Sequence, residues 1–254
     1  MSALQIDSDW SGIPGIAHGG YVAGLLAAAL DADSSLVRLR RPARAGARLR
    51  LERPAPTAVE LLDEDALVAE AAAAEVLLHV PAPVTSAEAR AATARYAAMA
   101  HHPFPRCVCC GPDHPRGLGV FPAPVSGRDI VAAHWTPPQR LADDRGGLSR
   151  VAICTALDCP QLWALMHHAP PASSDRVVTT VLETRIERPV IAGAPHVVVG
   201  WPLGRDGRRW LAGAAIFGPD GELCAAGRQT AAIVAGWGVP LGRDRWAAAA
   251  LATA

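Results

Sequence analysis

Three short stretches of this chain carry residue types that can do chemistry. The first is Asp158-Cys159-Pro160, which reads as the start of a helix with Asp158 as its N-cap and Pro160 in the first turn. A carboxylate can take a proton from water or attack a carbonyl directly, and a helix start adds amide donors and a positive dipole end. The competing reading is a plain cap, which stabilises by roughly 1 kcal/mol and does no chemistry. The second stretch is His18-Gly19-Gly20, ahead of another apolar helical segment. Superposing the two expected helix starts sets His18 near the place of Asp158. There it can act as acid or base near neutral pH, or simply cap a tight turn. The third is Cys107-Val-Cys-Cys110, whose outer pair has zinc spacing, with His101, His102 or His114 available to complete a tetrahedron. A structural zinc site normally brings a second Cys-x-x-Cys or His pair, and the sequence has none at the usual spacing. No metal is therefore expected, and the cysteines read as buried free thiols in a loop shaped by Pro112, Pro115 and Gly117. Phosphate-binding loops, dinucleotide fingerprints and the Gly-x-Ser-x-Gly elbow are all missing from the sequence.

The elements that must hold these residues are arranged twice. Residues 38–47 and 185–194 match without a gap at Arg38/Arg185, Arg41/Arg188, Pro42/Pro189, Ala45/Ala192, Gly46/Gly193 and Ala47/Ala194. This shared register points to duplication. Upstream of each copy lies an apolar helical segment. One spans Gly19 to Leu30; the other begins near Asp158, runs through Leu162, Trp163 and Leu165 to His167, and stops before Pro170-Pro171. Downstream of each copy the pattern turns strand-like. The later half predicts strands over Val177–Ile186, His196–Trp201, Trp210–Phe217 and Leu223–Ile233, punctuated by Gly204-Arg-Asp-Gly207 and Gly218-Pro-Asp-Gly221. The earlier half echoes it over Leu36–Leu39, Arg48–Arg53, Ala58–Leu62 and Leu67–Leu77. One helix followed by an antiparallel meander, repeated, predicts a curved sheet around each helix with the units side by side. The expected division is a first repeat over 1–100, a Cys/Pro/Gly connecting motif over 101–121 and a second repeat over 122–254.

Composition excludes several function classes. The 24 basic residues balance 24 acidic ones, so no net field favours nucleic acid or anionic lipid. Every basic residue is Arg, and the chain has neither Lys nor Asn, which we read as coding bias that makes Arg a poor functional marker. Six cysteines in 254 residues are too sparse for a secreted disulfide framework. The first residues carry neither a charged n-region nor a long apolar stretch, and no apolar run approaches the roughly 18 residues of a membrane span. A cytoplasmic protein without membrane or nucleic-acid partners is expected.

Three motifs in order resemble those of the hotdog superfamily, and of its double hotdog acyl-CoA thioesterases in particular. His18-Gly-Gly-Tyr-Val-Ala-Gly-Leu-Leu26 is similar to the His-Gly-Gly-Tyr start of the central helix. Cys107-Val-Cys-Cys-Gly-Pro-Asp-His-Pro-Arg-Gly-Leu118 resembles a Cys-x-x-Cys-Gly…Pro-x-Gly-Leu stretch of thioesterase-like hotdog proteins. Ala156-Leu-Asp-Cys-Pro-Gln-Leu-Trp-Ala-Leu-Met-His167 resembles the second-half segment of type II acyl-CoA thioesterases. The resemblance covers almost the whole chain. It implies an α+β double hotdog: two antiparallel sheets each wrapped around a central helix, with the option of one continuous sheet. It also implies hydrolysis of an acyl-CoA or acyl-carrier thioester without a cofactor, in a monomer or a homodimer of double units. In that family an Asp, a Gln and a Thr hold the attacking water, which here implies Asp158 and Gln229. The Thr has no counterpart at its usual place, the Gly204 to Arg209 turn, and Thr179, Thr180 and Thr230 all stay open. Substrate contacts fall to Gly19, Gly20 and Trp163. Tyr21 either lines an acyl tunnel or packs the helix, and Arg188, like Arg41, either meets coenzyme A phosphates or serves the scaffold. Two rivals remain on the same frame: a dehydratase, hydratase or cyclase using His18 with Asp158, and a non-catalytic acyl-binding protein.

Overall fold

The computed structural model describes residues 2–99, 102–168 and 176–234. After β1 (Ser2–Gln5) comes helix α1 (Gly19–Leu30), then β2 (Ser34–Leu39), β3 (Arg48–Ala55), β4 (Ala58–Asp63) and β5 (Ala66–Ala73). Helix α2 (Ser86–Ala97), β6 (Ala123–Pro124) and β7 (Val131–Trp135) lead to α3 (Arg150–His168). The chain then runs through β8 (Arg176–Ile186), β9 (His196–Asp206), β10 (Arg209–Phe217) and β11 (Leu223–Val234). The eight strands expected from alternation all form. The Ala-rich run in β5, helical by propensity alone, is held extended by antiparallel pairing to β2 and β4.

Among the described residues the strands join one sheet of 11, in the order β1-β3-β4-β5-β2-β8-β11-β10-β9-β7-β6, rather than two separate sheets. β6 aside, the order is a palindrome about the β2–β8 seam, with β1 to β5 answering β7 to β11. The seam is antiparallel, Ser34 opposite Arg185 through Arg38 opposite Val181. Smaller features repeat as well. Ile16 bridges Arg44 as Gly147 bridges Ile191, and Gly46 and Gly193 occupy the same left-handed turn at φ 80° and 75°. The Ala-Gly-Ala landmark of the sequence is this turn.

Each half packs a helix against its strands. Leu26, Val59 and Leu61 are buried around α1, and Leu157, Val199 and Ile216 around α3. Complete burial of such a side chain contributes about 1.5–3 kcal/mol. α1 and α3 also pack on each other. A Cβ on Gly20 would lie 2.6 Å from the Cys154 carbonyl oxygen, and one on Gly24 would lie 2.5 Å from Val151 Cα. Because the higher number on α1 meets the lower on α3, the helices run antiparallel, and glycine alone allows the approach.

Two expectations are corrected here. α3 begins at Arg150, capped by Ser149 Oγ accepting from the Ala152 amide at 3.3 Å, so Asp158 is a mid-helix residue and not an N-cap. Pro160 lies inside the helix, where its carbonyl oxygen would be 2.3 Å from a Cβ at Gly200 of β9. His18, the N-cap of α1, therefore corresponds to Ser149 and not to Asp158. Residues 170 and 171, where the helix was expected to have stopped, lie outside the described residues, as does His101. The stretch before the cysteine motif carries a helix that the sequence reading did not include. Thr85 and Glu88 form a reciprocal capping box for α2, and Thr93 Oγ1 accepts from the His134 amide of β7 at 2.9 Å.

Candidate functional site

Asp158 is 2 % exposed and sits where α3, the start of α1, β8 and β11 converge. Its Oδ2 accepts from the Gly20 amide at 2.7 Å, and its Oδ1 accepts from Thr179 Oγ1 and Gln229 Nε2, both at 2.7 Å. Gln229 Nε2 also touches Thr179 Oγ1. His18 Nδ1 lies 3.4 Å from Asp158 Oδ2, and its Nε2 lies 3.2 Å from Cys159 Sγ. The helix start expected at Asp158 is thus present, but it belongs to α1 and approaches from across the helix pair. Its Gly20 amide and its positive dipole end face the carboxylate.

A β-bulge selects the threonine. In the β8–β11 ladder Gln229 faces Leu182, Thr230 faces Val181 and Ala231 faces Thr179, with the register shift between Thr230 and Ala231. Directly opposed residues share a sheet face, and Gln229 and Ala231, two apart, point the same way. Leu182 and Thr179 therefore point together although they are three apart. In a regular strand Thr180 would take that face; the extra residue brings Thr179 there instead. Thr180 Oγ1 donates to the Thr230 carbonyl at 2.9 Å. Of the three open threonines, Thr179 is the one that reaches Asp158.

The site opens on a cavity of 330 Å³. Asp158, His18, Gly19, Thr179, Cys107, Cys110 and Cys159 line one part of it, and Val22, Leu39, Leu162, Trp163, Met166 and Val178 give it an apolar wall. The exposed Arg40 and Arg41 stand at its edge. Among the expected substrate residues, Gly19 and Trp163 line the cavity, and Gly20 contributes its amide to Asp158. Tyr21 is corrected to packing: it stacks on Trp10 with ring centroids 4.9 Å apart, and its hydroxyl accepts from the Asp7 amide at 3.3 Å. Arg188 is corrected to the scaffold: it pairs with exposed Glu222 at 3.1 Å, away from the cavity that its repeat counterpart Arg41 lines.

The six cysteines are free and buried. Cys159, outside the cysteine motif, comes from α3 to within 3.7 Å of Cys107 Sγ. Burial opposes a charged His18 ring, but the Cys107 sulfur and the Asp158 carboxylate outweigh it and push its pKa up to about 10. Hydrogen bonds from Cys110 and Cys159 hold Cys107 well below the usual thiol range, and the His18 charge adds to this. Cys110 is pushed up by burial, and Cys159 by its hydrogen bond to Cys107.

The fold has clear structural relatives. A hot dog fold protein from Alicyclobacillus acidocaldarius matches with a TM-score of 0.57 and 13% identity, over 92% of each chain. The TesB protein of Mycobacterium avium subspecies paratuberculosis matches with a TM-score of 0.56 and 14% identity, over 88% of this chain and 89% of that one. An acyl-CoA thioesterase II from Mycobacterium marinum matches with a TM-score of 0.53 and 14% identity, over 86% and 91%. The chain shares the hotdog fold with these proteins. No protein-family model and no curated protein matches the sequence. Among the described residues, no helix is long and apolar enough to cross a membrane.

Proposed function

We propose that this chain is an acyl-thioester hydrolase built as a double hotdog, two fused copies of one unit joined at β2 and β8. The observation that carries the reading is the convergence of Gly20, Thr179 and Gln229 on the Asp158 carboxylate at the wall of a largely apolar cavity. The names of the fold's relatives agree with it. We assign the first copy to 1–100 and the second to 122–254, with α2 of the first range packing against β7.

In this reading a water enters beside Asp158 and gives one hydrogen bond to Gln229 Oε1, a buried atom that has no partner among the described residues. Asp158 takes the water's proton as the new carbon–oxygen bond forms at the thioester carbonyl. The first-turn amides of α1, with Gly19 on the cavity wall, polarise the carbonyl oxygen as it becomes negative. Collapse of the tetrahedral species breaks the carbon–sulfur bond, and the proton held by Asp158 returns to the leaving thiolate. Thr179 and Gln229 position Asp158 and the water. Arg41 meets the phosphates of a coenzyme A or carrier group outside the cavity, while its neighbour Arg40 is held by Glu70. Six buried free thiols suit a reducing, cytoplasmic setting, with the chain acting as a monomer or homodimer.

A dehydratase reading also draws on His18 and Asp158, but it needs the substrate carbons between acid and base. Here the ring and the carboxylate are 3.4 Å apart, which leaves no room for a chain.

The test is free-thiol release from acyl-CoA esters of graded chain length. Asp158→Asn should lower kcat by about a hundredfold or more. No release by the wild type at any chain length overturns the proposal, as does equal release by the variant. Hydration of an enoyl ester without thiol release would favour the dehydratase.

A further inference from the structure

We infer that Cys107, Cys110 and Cys159, with His18 as fourth donor, form a zinc site that clamps the cysteine loop to α3 directly beside Asp158. The three sulfurs all lie within 4.8 Å of one another, and a second such group joins His18 and Cys109 to the same Cys159. Zinc held by thiolates at about 2.3 Å in a tetrahedron sets its sulfurs about 3.8 Å apart. Cys107 and Cys159 are 3.7 Å apart. The fold supplies the sulfur that sequence spacing failed to show, Cys159 from mid-α3. His18 at the cap of α1 stands against that same sulfur, grouped with Cys109 rather than with Cys107 and Cys110, so it becomes the fourth donor only by turning toward the three sulfurs.

The surroundings fit ligands to a soft cation. The Cys107-x-x-Cys110-Gly turn closes through the Gly111 amide donating to the Cys107 carbonyl at 2.8 Å. A Cβ on Gly111 would sit 2.4 Å from the Cys107 nitrogen, so the turn needs glycine there. Two N–H groups face Cys110 Sγ at 3.5 Å, Trp163 Nε1 and His102 Nε2. His102 Nδ1 accepts from the Phe104 amide at 2.9 Å, so in the neutral ring the proton is on Nε2 and points at the sulfur. Donors converging on a buried sulfur suit a metal thiolate. On the other side, His18 Nε2 lies 3.2 Å from Cys159 Sγ while its Nδ1 faces the Asp158 carboxylate. A zinc-bound histidine usually gives its other N–H to a carboxylate; His18 Nδ1 is buried 3.4 Å from Asp158 Oδ2 with no hydrogen-bond partner among the described residues, so its N–H is available for that role. Three thiolates and an imidazole select zinc over hard cations, and binding releases to solvent whatever protons the three sulfurs and the ligating nitrogen of His18 still hold.

The experiment reads metal rather than turnover. Full-length protein is purified reduced and without chelator, and zinc is measured by elemental analysis. The metal is then removed, and Co(II) is titrated in as a spectroscopic probe. We expect one zinc per chain, together with the thiolate-to-cobalt charge-transfer band and the intense d–d bands of tetrahedral Co(II). Cys110→Ser and Cys159→Ser should lose most of both signals, whereas Cys224→Ser, at a buried but remote thiol, should keep them. His18→Ala should weaken binding and shift the d–d bands. Asp158→Asn should retain zinc even if hydrolysis is lost, which keeps this test separate from that of the hydrolase. Wild-type protein that takes up neither zinc nor cobalt overturns the inference, whether its thiols stay reduced or Cys107 and Cys159 form a disulfide. Equal loss of metal in Cys224→Ser overturns it too. The wild-type measurement holds even if a cysteine variant fails to fold.

Discussion

The Gly20 amide of α1 donates to Asp158 Oδ2 of α3 at 2.7 Å, although the two residues are 138 apart in sequence. This bond exists because the helices touch backbone to backbone at Gly20 and again at Gly24. Gly24→Ala therefore tests the contact from the turn farther from the carboxylate. Helix propensity alone would favour alanine by about 1 kcal/mol. The added Cβ would instead meet Val151 Cα at 2.5 Å, and backbone cannot rotate away as a side chain can. The net effect should be a loss of about 1–3 kcal/mol, read as a lower denaturant midpoint with an unchanged slope. A stabilised variant would mean that the helices do not approach this closely.

Thr179 and Thr180 are neighbours with opposite expected fates. Thr179→Val removes the hydroxyl that donates to Asp158 Oδ1 and should lower kcat about tenfold or more, while Thr179→Ser should retain most of the activity. Thr180→Val removes a bond to the Thr230 carbonyl and none to Asp158, and although Thr180 also lines the cavity it should leave kcat within about threefold of wild type. Thiol-release kinetics on the three proteins decide this. The reverse ranking would mean that the β8 bulge lies elsewhere.

Strands, turns and α1 were legible because alternation, Gly-rich turns and a capped apolar run are local signals. What escaped the sequence depends on partners. Asp158-Cys-Pro160 mimics an N-cap with a first-turn proline, yet α3 runs through it because the helix is buried on nearly every side and Gly200 leaves room for the Pro160 carbonyl. The choice of Thr179 rests on a bulge, which no strand pattern in a single sequence reveals. Cys159 joins Cys107 across 52 residues only once α3 and the loop are packed. Helix α2 is different: Thr85-x-x-Glu88 is a capping-box signature in plain sight, and the apolar spacing of Ala89, Ala92 and Tyr96 follows it. It was masked by the prolines on either side.

His196 links pH to stability at a point remote from the site. Its ring is 2 % exposed, with Nδ1 donating to the Ala194 carbonyl at 2.9 Å and Nε2 without a partner among the described residues. Burial lowers its pKa below the ordinary 6.5, partly offset by the Ala194 bond. Between those two values the unfolded chain binds a proton that the folded chain does not, so stability falls as pH drops below about 6.5. His196→Gln removes this linkage. Between pH 7.5 and 5.5 the wild type should lose on the order of 1 kcal/mol more than the variant in urea unfolding. Parallel losses in both proteins would mean that the ring is solvated.

Arg41 and Arg188 occupy matching positions in the aligned stretches 38–47 and 185–194, yet of the two only Arg41 lines the cavity, while Arg188 is tied to Glu222. If duplication left a substrate role in one copy alone, the two residues should separate kinetically. An exposed guanidinium at the cavity edge can bind phosphate but has no reach to the carbonyl deep inside, so it should affect binding rather than chemistry. Arg41→Ala should raise KM for an acyl-CoA ester about three- to tenfold with kcat little changed. It should leave the same acyl group on a short phosphate-free thiol unaffected. The contrast should shrink at high salt, because an exposed ion pair is screened. Arg188→Ala should alter neither constant. A KM effect of equal size on the phosphate-free thioester would instead make Arg41 part of the acyl site's wall.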